Sequence, residues 1–109
     1  MKKTIALAAS MLTLQVLPAL AADDEMTLVI KDHRFVPAEF KVAAGKKIKL
    51  IVHNQDASAE EFESHELNRE KIIAGGAKAT IYVGPLKPGR YPFFGEFNPA
   101  TAQGAVIAE

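Results

Sequence analysis

Residues 60–66 read Glu-Glu-Phe-Glu-Ser-His-Glu, placing four carboxylates and an imidazole within seven positions. If this stretch is a strand with Phe62 turned to the core, alternation puts Glu61, Glu63 and His65 together on the other face. Successive Cβ atoms on that face then stand about 6.5–7 Å apart. Carboxylate and imidazole donors suit iron, manganese, zinc or Cu(II) rather than Cu(I). A side chain from another loop is needed to complete such a site. An acidic run of this kind is also an ordinary solvated strand face. Other donors are scattered. His33 ends the first expected strand, and His53 shares a face with Lys47 and Lys49, where exposure is expected. Met26 is a thioether, the donor type that suits Cu(I), and its simplest role is strand packing.

Other chemistries are excluded by what the 109 residues lack. There is no cysteine, so thiolate ligation, thiol catalysis, cysteine-attached haem and disulfides all fall away. No G-x-S-x-G, H-E-x-x-H or P-loop pattern occurs, and Ser58 and Ser64 have no evident His–Asp pairing. Lys plus Arg equal Asp plus Glu at 13 each. With no basic face to meet phosphates, no nucleic-acid partner is expected.

The elements that would position these residues are short strands. Residues 1–21 read as a cleaved secretory signal peptide: Lys2 and Lys3, an apolar run over residues 5–17, Pro18, then Ala19-Leu20-Ala21. Cleavage after Ala21 or Ala22 leaves a periplasmic domain over residues 22–109 with two more acidic than basic side chains. An uncleaved membrane anchor is the alternative, although the apolar run is short for a span. Beyond it, strands are expected over residues 27–31, 39–42, 47–54, 60–66, 78–83, 90–94 and 105–108. Residues 67–74 are open between helical turn and strand. Gly45, Gly75-Gly76 and Pro88-Gly89 are turn signals. Seven to eight short strands at spacings near ten residues predict an all-β sandwich of Greek-key type.

Three stretches, in order along the chain, carry a resemblance. Phe35-Val36-Pro37 running to Val42-Ala43-Ala44-Gly45 resembles the opening of cupredoxins. Val52-His53-Asn54 resembles the segment before their first ligand loop. Leu86-Lys87-Pro88-Gly89-Arg90-Tyr91-Pro92-Phe93-Phe94-Gly95, followed by Gly104-Ala105-Val106-Ile107, resembles their C-terminal hairpin. Within that family, Glu61-Phe62-Glu63-Ser64, the Gly84–Gly89 turn and Phe93-Phe94-Gly95-Glu96-Phe97 are most similar to the EfeO and FtrB type, periplasmic domains of ferrous-iron uptake.

The resemblance implies a role beside a periplasmic iron-binding protein or an inner-membrane iron permease, with iron or copper as the bound ion. It also implies where a blue-copper centre would lie, with two histidines, a cysteine and an axial methionine. Those positions fall at Glu61 or Glu60 (with Glu61 favoured), at Gly95, at Asn98, and at Ala102 or Gln103. All four are replaced, so blue-copper electron transfer is not expected. The retained hard donors are Glu61, Glu63, His65, Glu96 after the lost cysteine, and His33 at the same end of the sandwich. Two functions follow as expectations. One is a metal-binding accessory of Fe(II) uptake, with no catalysis beyond assisting iron oxidation. The other is a metal-free docking module on the same scaffold.

Overall fold

The computed structural model describes residues 24–109, and the expected signal peptide over residues 1–21 lies outside them. Nine strands follow one another: β1 (Asp24–Lys31), β2 (Arg34–Val36), β3 (Glu39–Val42), β4 (Ile48–Asn54), β5 (Glu60–Ser64), β6 (Arg69–Ile73), β7 (Lys78–Val83), β8 (Gly89–Gly95) and β9 (Gln103–Ala108). They form two sheets, of order β2-β1-β4-β7 and β3-β9-β8-β5-β6. The pairs β1–β4 and β3–β9 are parallel and the others antiparallel. Two faced sheets with crossovers between them make the expected all-β sandwich. Among the described residues, no helix is long and apolar enough to cross a membrane.

Each sheet turns one face inward because its strands alternate. In β4, Ile48, Leu50, Val52 and Asn54 are buried, while the residues between them are half-buried. In β5, Glu60, Phe62 and Ser64 are buried, and Glu61 and Glu63 are not. The core between the sheets is aromatic at the β5–β8 side. Phe62 and Phe93 stack at 5.1 Å, and Phe35 meets Phe93 edge-on at 5.0 Å. Offset and edge-to-face pairs of this kind add stability beyond their buried area, about 0.5–1.5 kcal/mol each.

The ninth strand is β2, which the sequence did not announce. Three residues are too few to show a period, and Pro37 follows them at once. The hairpin from β1 into β2 turns through Asp32 and His33, both in the left-handed region with φ of 53° and 57°. The ambiguous stretch over residues 67–74 resolves to strand β6, which pairs with β5 across the turn at residues 65–68.

Candidate functional site

The two adjacent glutamates of β5 do opposite things. Glu60 is 2% exposed and points inward. Its Oε1 accepts the amide N–H of Glu61 at 2.9 Å and that of Phe97 at 2.8 Å. Its Oε2 accepts the side-chain N–H of Asn98 at 2.8 Å. Gly95 closes the other side of the carboxylate. A Cβ at Gly95 would lie 2.7 Å from Glu60 Cδ and 2.7 Å from the Ala102 Cβ. The loop from Gly95 to Ala102 is folded on itself, with Gly95 N–H donating to Ala102 C=O and Ala102 N–H to Asn98 C=O. Glu60, Gly95, Asn98 and Ala102 therefore converge. The resemblance favours Glu61 over Glu60 for the first of these positions, whereas the strand's alternation turns Glu60 to this pocket and Glu61 away from it. The choice between Ala102 and Gln103 resolves to the buried Ala102 in the same way.

Glu61 lies on the outer face of the β5–β6 hairpin with Glu63. Glu63 is directly opposite Glu70 in the strand register. One carboxylate oxygen from each of Glu61, Glu63 and Glu70 can be chosen so that all three lie within 4.8 Å of one another. This is the one such group of three acidic or imidazole side chains among the described residues. Partial desolvation, followed by the charges of Glu70 and Glu63, pushes the Glu61 carboxyl above the usual glutamate range. A hydrogen bond with Glu70 and the charge of Glu96 act in the same direction. His65 stands at the rim, three-quarters exposed, with Nδ1 3.9 Å from Glu63 Oε2. Its ring leans on Phe94 at 5.7 Å. A cleft of about 240 Å³ lies alongside, lined by Glu63, Ser64, His65, Asn68, Arg69 and Glu70. The Arg69 guanidinium is turned aside, with Nε donating to the Tyr82 carbonyl.

The other sequence-predicted donors are placed as follows. Glu96 is exposed, and its amide donates to the Glu61 carbonyl at 2.9 Å, which brings its charge near the cluster. His33 is at the same end as the Gly95–Ala102 loop, because its carbonyl accepts the Thr101 hydroxyl at 2.6 Å. Its imidazole faces Asp56, however, with Nδ1 3.6 Å from Oδ2, and does not join the cluster. Asp56 also accepts the amides of Asp32 and His33. The His33 amide hydrogen bond, against some desolvation and helped by the Asp32 amide, holds the Asp56 carboxyl below the usual range. His53 is half-buried in β4 between Val29 and Lys78. Met26 packs against the core from β1.

Glu70 is the residue that sequence reasoning missed. Residues 67–74 were open between two structures, and only a strand puts Glu70 opposite Glu63. The turn that fixes this register ends at Asn68, which has φ of 55°. An asparagine tolerates that conformation better than most residues, and that was the available signal.

Comparison with known proteins agrees with this fold. The model of the cupredoxin-like domain matches residues 4–108. The uncharacterized protein RP394 of Rickettsia prowazekii (strain Madrid E) is 51% identical over 83 residues, which span 76% of this chain and 66% of that protein. Auracyanin A, a "blue" copper protein of Chloroflexus aurantiacus, superposes with a TM-score of 0.71 at 12% identity, over 81% of this chain and all of that one. The metal-binding domain of the Cu(I)-exporting P-type ATPase CopA of Streptococcus pneumoniae D39 gives 0.73 at 15% identity, over 89% and 91% of the two chains. Amicyanin from Paracoccus versutus gives 0.60 at 15%, over 79% and 82%. At these identities the structural likenesses show the shared fold.

Proposed function

The chain belongs to the cupredoxin-like domain family, and we propose that it binds a divalent iron or copper ion through Glu61, Glu63 and Glu70 on the outer face of the β5–β6 hairpin. The observation that carries this reading is the crowding of those three carboxylates within 4.8 Å. Desolvation and then the like charges of Glu70 and Glu63 raise the Glu61 pKa, and a bound cation relieves that repulsion. Oxygen ligands about 2.0–2.2 Å from such an ion lie at most about 4.4 Å apart. A bound ion would draw the three carboxylates closer than that 4.8 Å limit. His65 offers an imidazole beside Glu63, and Glu96 adds negative charge at the margin. His33 is left out, because its imidazole meets Asp56.

The biological setting is part of the proposal. An exported domain with hard donors on its surface suits an accessory of Fe(II) uptake, handing the ion to a periplasmic iron-binding protein or an inner-membrane iron permease. The similarity of the Glu61–Ser64 and Phe93–Phe97 stretches to the iron-uptake type supports it. A blue-copper relay is not proposed, since the chain has no cysteine.

Calorimetric titration tests the site. Fe(II), under argon, and Cu(II) and Zn(II) are titrated into the metal-free protein, Glu61→Gln and Glu70→Gln. The wild type should bind at least one of these ions, and each substitution should weaken binding by tenfold or more, because each replaces a charged carboxylate donor with a neutral amide. Binding that survives both substitutions unchanged, or no heat with any of the three ions, would overturn the assignment. Affinity should also fall as pH falls through the raised Glu61 pKa, because the proton and the ion compete for one carboxylate.

A further inference from the structure

We infer that the Glu60 carboxylate is a tethered occupant of the fold's copper position, and that it seats the Gly95–Ala102 loop in place of an ion. This concerns the inner pocket and stands apart from the outer carboxylate cluster. A blue-copper ion needs two imidazoles, a thiolate and a weak axial thioether. Glu60, Gly95, Asn98 and Ala102, which converge here, offer neither sulfur nor imidazole. The space is also taken. A side chain at Gly95 would begin 2.7 Å from Glu60 Cδ and 2.8 Å from its Oε2. The polar groups turned to the centre of the pocket are the Glu61 amide, the Phe97 amide and the Asn98 side-chain NH₂. Three N–H donors make a receptor for a carboxylate and a poor one for a cation. A copper ion therefore does not fit this pocket, and a carboxylate does.

The four positions behave as one interlocked change. Gly95 leaves the volume that the Glu60 carboxylate fills, and the small Ala102 side chain leaves room beside it. Asn98 supplies a donor where a cation ligand would be an acceptor. Glu60 belongs to β5, while Phe97 and Asn98 belong to the loop. The carboxylate thus joins the two elements that a metal centre at these positions would join, and the loop needs no ion to be held. Because the pocket is shaped for a carboxylate, removing Glu60 should leave a hole that accepts a free one.

Amide hydrogen exchange by NMR on the metal-free protein tests this. In the wild type, the Phe97 amide should exchange slowly. In Glu60→Ala its exchange should speed up about ten- to a hundredfold, the range expected for losing a hydrogen bond to a charged acceptor. Amides of β1 and β4 should be unaffected, and excess sodium formate should restore protection at Phe97 where sodium chloride does not. If Glu60→Ala fails to fold, Glu60→Gln carries the test. A carbonyl at Oε1 keeps the Phe97 amide protected, while the Asn98 side-chain amide, now facing an NH₂, loses its slow exchange. Equal exchange at Phe97 in wild type and Glu60→Ala, no effect of formate, or unchanged exchange at both groups in Glu60→Gln would overturn the inference.

Discussion

Two neighbouring glutamates differ here only in which side of a strand they occupy. Glu60 is buried and held by three N–H donors. Glu61 sits among Glu63, Glu70 and Glu96, where burial and like charge raise its pKa. The sign of the consequence follows from that direction. The folded state keeps the Glu61 proton better than the unfolded chain does, so the crowding is harmless at low pH. It becomes destabilising as pH rises from the ordinary glutamate pKa through the raised folded value. Glu70→Gln removes the Glu70 charge, and the new side-chain amide can donate to the Glu61 carboxylate. The Glu61 midpoint, followed by carboxylate carbon shifts in NMR, should move down toward the ordinary range. The variant's thermal midpoint at neutral pH should rise. A Glu61 midpoint that does not move would show that Glu70 is not its neighbour in solution.

At the scale of elements, the turn between β1 and β2 is built from a distant side chain. Asp56, in the β4–β5 connection, accepts the amides of Asp32 and His33 at 2.8 and 2.9 Å. Its own amide is held by Asn54 Oδ1, and its carbonyl accepts the Gly76 amide. One aspartate therefore ties three loops at the end of the sandwich that carries the Gly95–Ala102 loop. Its pKa is depressed, so its stabilisation is present above the unfolded pKa of about 3.9 and is lost as pH falls through the lower folded value. Asp56→Asn should destabilise the protein by about 1.5–3 kcal/mol at neutral pH. It should also flatten the acid limb of the stability profile, measured by urea denaturation from neutral pH downward. An acid limb as steep as the wild type's would place the acid sensitivity elsewhere.

The sequence showed unequal amounts at this scale. The alternation of Ile48, Leu50 and Val52 reads directly as β4, because burial on one face demands a period of two. The acidic strand was conditional on Phe62 facing the core, and Phe62 is fully buried. The hairpin partner β6 was not legible, since Arg69, Glu70, Lys71 and Ile72 are all exposed and only Ile73 is buried. An edge strand with one buried residue carries no period. That gap hid Glu70, and with it a third of the carboxylate cluster. Asn54 was visible as a motif residue, but its task was not: its side chain, fully buried, donates to the carbonyls of Ser58 and Ile73.

For the whole molecule, the all-β sandwich follows from short alternating segments and their turns, and the family model agrees over residues 4–108. What depends on tertiary approach was out of reach of the sequence: the convergence of residues 60, 95, 98 and 102, and the separation of His33 from the acidic face. The molecule emerges with an inner position closed by a carboxylate and an outer face where carboxylates crowd. Anomalous diffraction from crystals soaked in Zn(II) or Fe(II) tests the outer site most directly. A single strong peak within about 2.0–2.2 Å of oxygens from Glu61, Glu63 and Glu70 is expected. A peak in the pocket between Glu60, Gly95 and Asn98, or none beside the three glutamates, would contradict it.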